Sequence, residues 1–284
     1  MRSPGARRRA RLGIALLGAW LALLAPLAAL AQTATLTVTD RGASRTYTVR
    51  ELLASPQRRA VTVADPVFRR SMTYRAVPVA DLLKGLAVAP DDYVQVTASD
   101  GFSVAIPARL LLNTDPAAPL AFLAIDDPAA PWPAIPGKGS GAGPFYVVWQ
   151  PAGPTPVSSE YWAYATVSLT VTDSPVERWS VLAVGADVPA ADPIRRGLDR
   201  FVSVCMACHR FDGAGEAEMG PDLARPMNPV DYFQLPALRK FLHDPKSVRS
   251  WPDMKMAGAE AMSLTARDID DIIAWLEYKA RTRR

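Results

Sequence analysis

Between Thr33 and about Val184, apolar and polar positions alternate in short runs broken by Pro, Gly and Asp. Alternation of period two places successive side chains on opposite faces of an extended strand, so the pattern predicts a mostly β region. Thr35 to Thr39 alternates, Tyr93 to Thr97 and Phe102 to Ile106 flank the turn Ala98-Ser99-Asp100-Gly101, and Ala163 to Thr172 is a long run rich in β-branched residues. Two short helical pieces are expected inside it, Val79 to Leu86 and Pro107 to Leu112, the second with Pro at a first helical position. The stretch from Asp127 to Gly143, dense in Pro and Gly, is expected to be an exposed loop. Arg69, Arg70 and Arg75 are expected on a solvated strand face.

From Gly185 the chain turns to Ala, Pro and Asp without a periodic apolar face, the composition of a linker. Beyond it the period lengthens to that of a helix. Asp192 can cap and Pro193 can start a helix whose apolar face is Ile194, Leu198, Phe201, Val202 and Cys205. Pro236 to His243 reads as a second helix, ended by Asp244-Pro245. The last helix has Thr265 as its cap, Asp268 three residues on, and Ile269, Ile272, Ile273 and Leu276 along one face.

The first residues stand apart. Arg2, Arg7, Arg8, Arg9 and Arg11 precede an apolar run from Leu12 to Leu24, Pro26 breaks it, and Ala29-Leu30-Ala31 supplies a small-x-small site. That order predicts a cleavable export signal over 1–31 and a mature chain from Gln32. Leu12 to Ala31 is also just long enough for an uncleaved anchor, but Pro26 and the Ala-x-Ala site favour cleavage. No second run of spanning length follows, so no membrane span is expected in the mature chain. Losing five arginines and no acid turns the formal charge from +4 to −1, which gives no support for a nucleic-acid partner. The expected organisation is thus 1–31 signal peptide, 32–185 mostly β domain, 186–192 linker and 193–284 helical domain.

Two cysteines among 284 residues exclude a disulfide framework, and they sit together in Cys205-Met206-Ala207-Cys208-His209. Two thiols at this spacing can each add to a vinyl group of one haem, and the following imidazole is then held where it can ligate iron. A thioredoxin-like pair would sit beside a βαβ pattern, whereas here a helix leads in and His follows. A zinc site would need further ligands, and His243 is the only candidate; it ends a helix whose last turn tolerates a cation, which favours a structural role.

From about Pro193 to Lys279 the chain resembles a class I cytochrome c. Gly197, Phe201 and Cys205 stand at spacings of four, as in that family's N-terminal helix, and Ile272 and Trp275 match partner positions on its C-terminal helix. The resemblance implies one haem c per chain, attached through Cys205 and Cys208, with His209 as an iron ligand. It also makes Gly220-Pro221-Asp222-Leu223 the segment whose Pro221 carbonyl accepts a hydrogen bond from that imidazole, fixing its tautomer. The sixth ligand is expected to be Met256, which precedes Ala257-Gly258 where the family usually has Pro; Met254 is the alternative. Imidazole and thioether together favour ferrous iron relative to two imidazoles.

Residues about 33 to 184 resemble, more loosely, the molybdopterin-binding domain of the sulfite oxidase family, giving an expected α+β fold. The matching stretches are Tyr74 to Leu83, Tyr93 to Ile106 with its Asp100-Gly101 turn, and Gly143-Pro144-Phe145. That family binds molybdenum through a cysteine, and this region contains neither Cys nor His, so a molybdenum cofactor held by a thiolate is not expected. The whole reads as a periplasmic electron carrier whose β domain docks it to a redox partner protein, with no catalytic residue assigned. The alternative is a subunit of a periplasmic oxidoreductase whose β domain binds a pterin or small substrate and feeds the haem. A gas-sensing haem would need an open or labile sixth position.

Overall fold

The computed structural model describes residues 34–150, 157–252 and 254–282; the expected signal peptide and Gln32 lie outside them. Nine strands form two sheets in the first half: β1 (Thr35–Thr39), β2 (Ser44–Thr48), β3 (Arg59–Asp65), β4 (Arg70–Pro78), β5 (Tyr93–Ala98), β6 (Ser103–Pro107), β7 (Leu120–Ile125), β8 (Phe145–Gln150) and β9 (Thr166–Thr172). One sheet runs β2-β1-β9-β5-β6 and the other β3-β4-β7-β8. Pairs are antiparallel except β1 with β9. The N-terminal region is therefore mostly β sheet.

The alternating strands bury their apolar set between the sheets. Leu36 and Val38 of β1, Val94 and Val96 of β5, and Leu169 and Val171 of β9 meet Leu123, Ile125, Val147 and Trp149 of the other sheet. The runs LAFLAI of β7 and FYVVWQ of β8 do not alternate, because both their faces are covered. Phe122, Ala124, Tyr146 and Val148 point to a second apolar layer with Val61, Val63, Phe68 and Tyr74. The stretch 127–143 closes that layer. It holds no regular helix or strand, but Ile135 and Ala142 are buried and Trp132 packs edge-on against Tyr74 at 5.0 Å. The expected exposed loop is thus in part a cover, made so by the apolar residues set among its Pro and Gly. Of the three arginines expected on a solvated strand face, Arg70 and Arg75 lie exposed on β4, Arg75 pairing with Asp127, whereas Arg69 lies in the β3–β4 turn with φ 54°.

Helices dominate the second half. Pro175–Arg178 is a single turn, followed by α1 (Pro193–Ser203), the turn Pro229–Tyr232, α2 (Leu235–His243) and α3 (Ala266–Thr282). Asp192 accepts the Ile194 amide at 2.8 Å, and Thr265 and Asp268 exchange the reciprocal bonds of a capping box, so α1 and α3 start at the expected caps. The crossing of α1 and α3 is the core of this region. Phe201 stacks on Trp275 at 4.4 Å, with Leu198, Val202, Ile272 and Leu276 around them. At the crossing, a Cβ on Gly197 would lie 1.9 Å from the Asp271 carbonyl oxygen; only a residue without a side chain permits this approach. Arg196 grips Asp271 through two bonds of 2.8 and 2.9 Å, and Arg200 donates to Asp268 at 2.6 Å. Val176, Trp179, Leu182 and Val184, which precede the expected linker, also pack into this helical core.

Candidate functional site

The anchor segment begins where α1 ends. Val204 leaves helical geometry at φ −130°, and the chain tightens into the 3-10 turn Cys205–Ala207. The amides of Cys208 and His209 both donate to the Cys205 carbonyl, at 3.1 and 2.9 Å. This brings the two cysteines and the imidazole onto one short turn. Neither cysteine forms a disulfide. Burial pushes each up to about 12, with the charge of Glu160 adding to the effect.

His209 is fixed from the other side. Its Nδ1 lies 2.8 Å from the Pro221 carbonyl oxygen. A carbonyl can only accept, so Nδ1 carries the proton and the lone pair of Nε2 is left for a metal. Burial holds the imidazole below its ordinary basicity, against the opposing pull of Pro221, which favours the neutral form a ligand needs. Gly220 makes the approach possible: a Cβ there would stand 2.6 Å from His209 Cε1 and 2.7 Å from Nδ1, and its amide donates to the Cys208 carbonyl at 2.7 Å. Asp222 then ties the loop together by accepting from the amides of Asp212, Gly213 and Ala224 at 2.7 to 2.8 Å.

Among the described residues no group of three or more His, Cys, Asp or Glu converges as a metal cage. The thiols and imidazole are instead spread along one turn, as attachment to a broad planar group requires. Two buried donors close to this core, Arg210 Nε and Trp275 Nε1, find no acceptor within the described chain; buried native groups rarely stay unpaired. The residues present therefore fit a haem, with Cys205 and Cys208 as the attachment points.

Residues 194–279 match the family model described as cytochrome c. The C-terminal region is a cytochrome c domain. No curated protein matches the chain. A cytochrome c domain implies covalent haem c and a haem-based role in electron transfer. No helix among the described residues is long and apolar enough to cross a membrane.

The cytochrome c domain presents Met254 and Met256 on the irregular segment before α3, both half-buried. The far end of that segment is held at the C-terminus of α2, where the Ala259 amide donates to the His243 carbonyl at 3.0 Å. His243 itself is exposed at that helix end.

What sequence reasoning missed is the part the β region plays here. Ala207, at the centre of the anchor, is fully buried and belongs to the apolar cluster between the two sheets. Ser158 Oγ donates to the Ser203 carbonyl at 2.9 Å, the Glu218 amide reaches Gly101 O in the β5–β6 turn at 3.4 Å, and Arg178 bonds Gln95 at 3.1 Å while pairing with Glu216. These contacts join residues far apart in the chain, and no local pattern announces them.

Proposed function

We propose that this chain is an exported, periplasmic electron carrier with one haem c, in which His209 and Met256 are the axial ligands and Pro221 orients the imidazole. The observation that carries the reading is the His209–Pro221 bond of 2.8 Å, made by an imidazole that directly follows two cysteines outside any disulfide. When bound, the haem supplies a one-electron couple. The protein's own residues do the rest. Cys205 and Cys208 hold it, Pro221 keeps the Nδ1 proton in place so that Nε2 stays available, and the crossing of α1 with α3 packs against Met206 of the anchor. The β region, read as a sulfite oxidase-type pterin domain without that family's cysteine, acts as a module that docks the haem domain to a redox partner protein.

Two measurements test this. Metal analysis of protein matured with a c-type assembly system should give one iron per chain and no molybdenum; stoichiometric molybdenum or a bound pterin would favour an oxidoreductase subunit. In the oxidised form, Met256→Ala should abolish the methionine-to-iron charge-transfer band. Persistence of that band in Met256→Ala, with loss in Met254→Ala, would move the ligand to Met254.

A further inference from the structure

Pro221 orients the imidazole through its carbonyl, yet proline has no amide of its own by which its place can be fixed. The fixing falls to its neighbours. On one side the Gly220 amide donates to the Cys208 carbonyl at 2.7 Å, and on the other the Leu223 amide donates to the Arg210 carbonyl at 2.8 Å. Between these ties stands Asp222, half-buried, whose two carboxylate oxygens reach across to the chain leaving His209. There Phe211 and Ala214 exchange backbone bonds of 2.9 and 3.0 Å, closing a tight turn whose central residues, Asp212 and Gly213, have φ of 53° and 82°. Asp212 thus holds a left-handed conformation that an L side chain adopts at a cost, and the surroundings must hold it there. Oδ1 of Asp222 accepts the Asp212 amide at 2.8 Å and Oδ2 the Gly213 amide at 2.7 Å, while Oδ1 also takes the Ala224 amide at 2.8 Å. Arg225 grips the same turn through the Asp212 carboxylate at 2.6 Å. The bond to Ala224 is local. Those to Asp212 and Gly213 are not, because they join the segment that carries the imidazole to the segment that carries its acceptor.

We propose that Asp222 is a positioning residue for the axial imidazole: its clamp on three amides holds the Pro221 carbonyl within hydrogen-bond distance of His209 Nδ1, and so sets the ligand's basicity and the midpoint potential. It acts through Pro221, its neighbour in the chain. A carbonyl that accepts from Nδ1 draws the proton away from the ring and makes Nε2 a stronger donor. A stronger donor favours ferric over ferrous iron. Bonds from backbone amides to a carboxylate are roughly twice as strong as those between neutral groups, which makes Asp222 a stiffer tie than an amide or hydroxyl side chain at that position. Without it the carbonyl is free to move, the bond to the imidazole loosens, and the potential rises.

The inference rests on the haem reading above, and its test separates the two. Exchange of the His209 Nδ1 proton with deuterated solvent is followed by nuclear magnetic resonance on the reduced, haem-loaded full chain, with covalent haem confirmed in each variant. Asp222→Ala removes all three acceptor bonds, and the proton should exchange about tenfold faster or more, the factor that loss of bonds to a charged group implies. Asp222→Asn removes the charge but keeps the oxygen that takes Asp212 and Ala224, so its exchange should fall between parent and Asp222→Ala. Midpoint potentials from spectroelectrochemistry should shift positive in the same order. Loss of a nearby charge alone would shift both variants equally and leave the proton exchange at the parent rate. That result overturns the proposal, as does a lowered thermal transition in Asp222→Ala with parent exchange and potential, which makes the clamp a matter of stability only. In either case the carrier reading stands. Absence of covalent haem in the parent overturns that reading and this inference with it.

Discussion

The β region packs its described strands into two apolar layers, one between its sheets and one beneath the 127–143 cover, whereas the cytochrome c domain builds its larger cluster on one helix crossing and leaves two nitrogen donors, Arg210 Nε and Trp275 Nε1, without acceptors, against one hydroxyl, Thr172 Oγ1, among the described residues of the β region. The first region completes its core from its own side chains with the exception of Ala207. The second has a core shaped for something added. The difference teaches that the two halves should respond unequally to the same insult, although Ala207 ties them physically together.

The sharpest way to separate them is to remove both attachment points. In Cys205→Ser/Cys208→Ser, the helical region should lose its cooperative thermal transition while the β region keeps its own, seen as loss of helical circular dichroism ahead of the sheet signal. A single shared transition at the parent temperature would erase the distinction. Next in size is Gly197→Ala. A methyl group cannot share space with the Asp271 carbonyl, so α1 and α3 must separate, at a cost of about 3 kcal/mol; denaturant titration of the haem-loaded protein measures it. Gly220→Ala should displace the imidazole from Pro221 with little effect on the β region, visible as a change in the Soret and electron paramagnetic resonance spectra.

A smaller effect concerns the cap of α3. Burial works against ionisation of Asp268, but bonds from the Thr265 hydroxyl and amide and the charge of Arg200 outweigh it, so its pKa lies below the ordinary 3.8. A carboxyl depressed on folding contributes stability above its unfolded value, and that contribution is lost as pH falls through the folded one. Thr265→Ala should cost about 1 kcal/mol at neutral pH, and the gap from the parent should narrow below about pH 4. A gap that widened with acid would contradict the assignment.

The same contrast governs how much was legible in the sequence. The chemistry of the anchor lies in five consecutive residues and one tetrapeptide, and the caps at Asp192 and Thr265 lie within a few residues of the groups they bond, so local pattern sufficed. β7 and β8 could be suspected only as apolar runs, because covering both faces erases alternation. The burial of Ile135 and Ala142 was hidden by the Pro and Gly around them. Ser158 and the Asp100-Gly101 turn reach the haem region through topology, from elements whose own sequence carries no haem signature.

The account depends above all on covalent attachment through both sulfurs. Intact-mass measurement on the denatured, matured chain tests this directly. It should show a gain of one haem per polypeptide that neither acid nor organic solvent removes, and no gain when Cys205 and Cys208 are both serine. A parent chain at its bare polypeptide mass, with haem recovered in the extract, would contradict it.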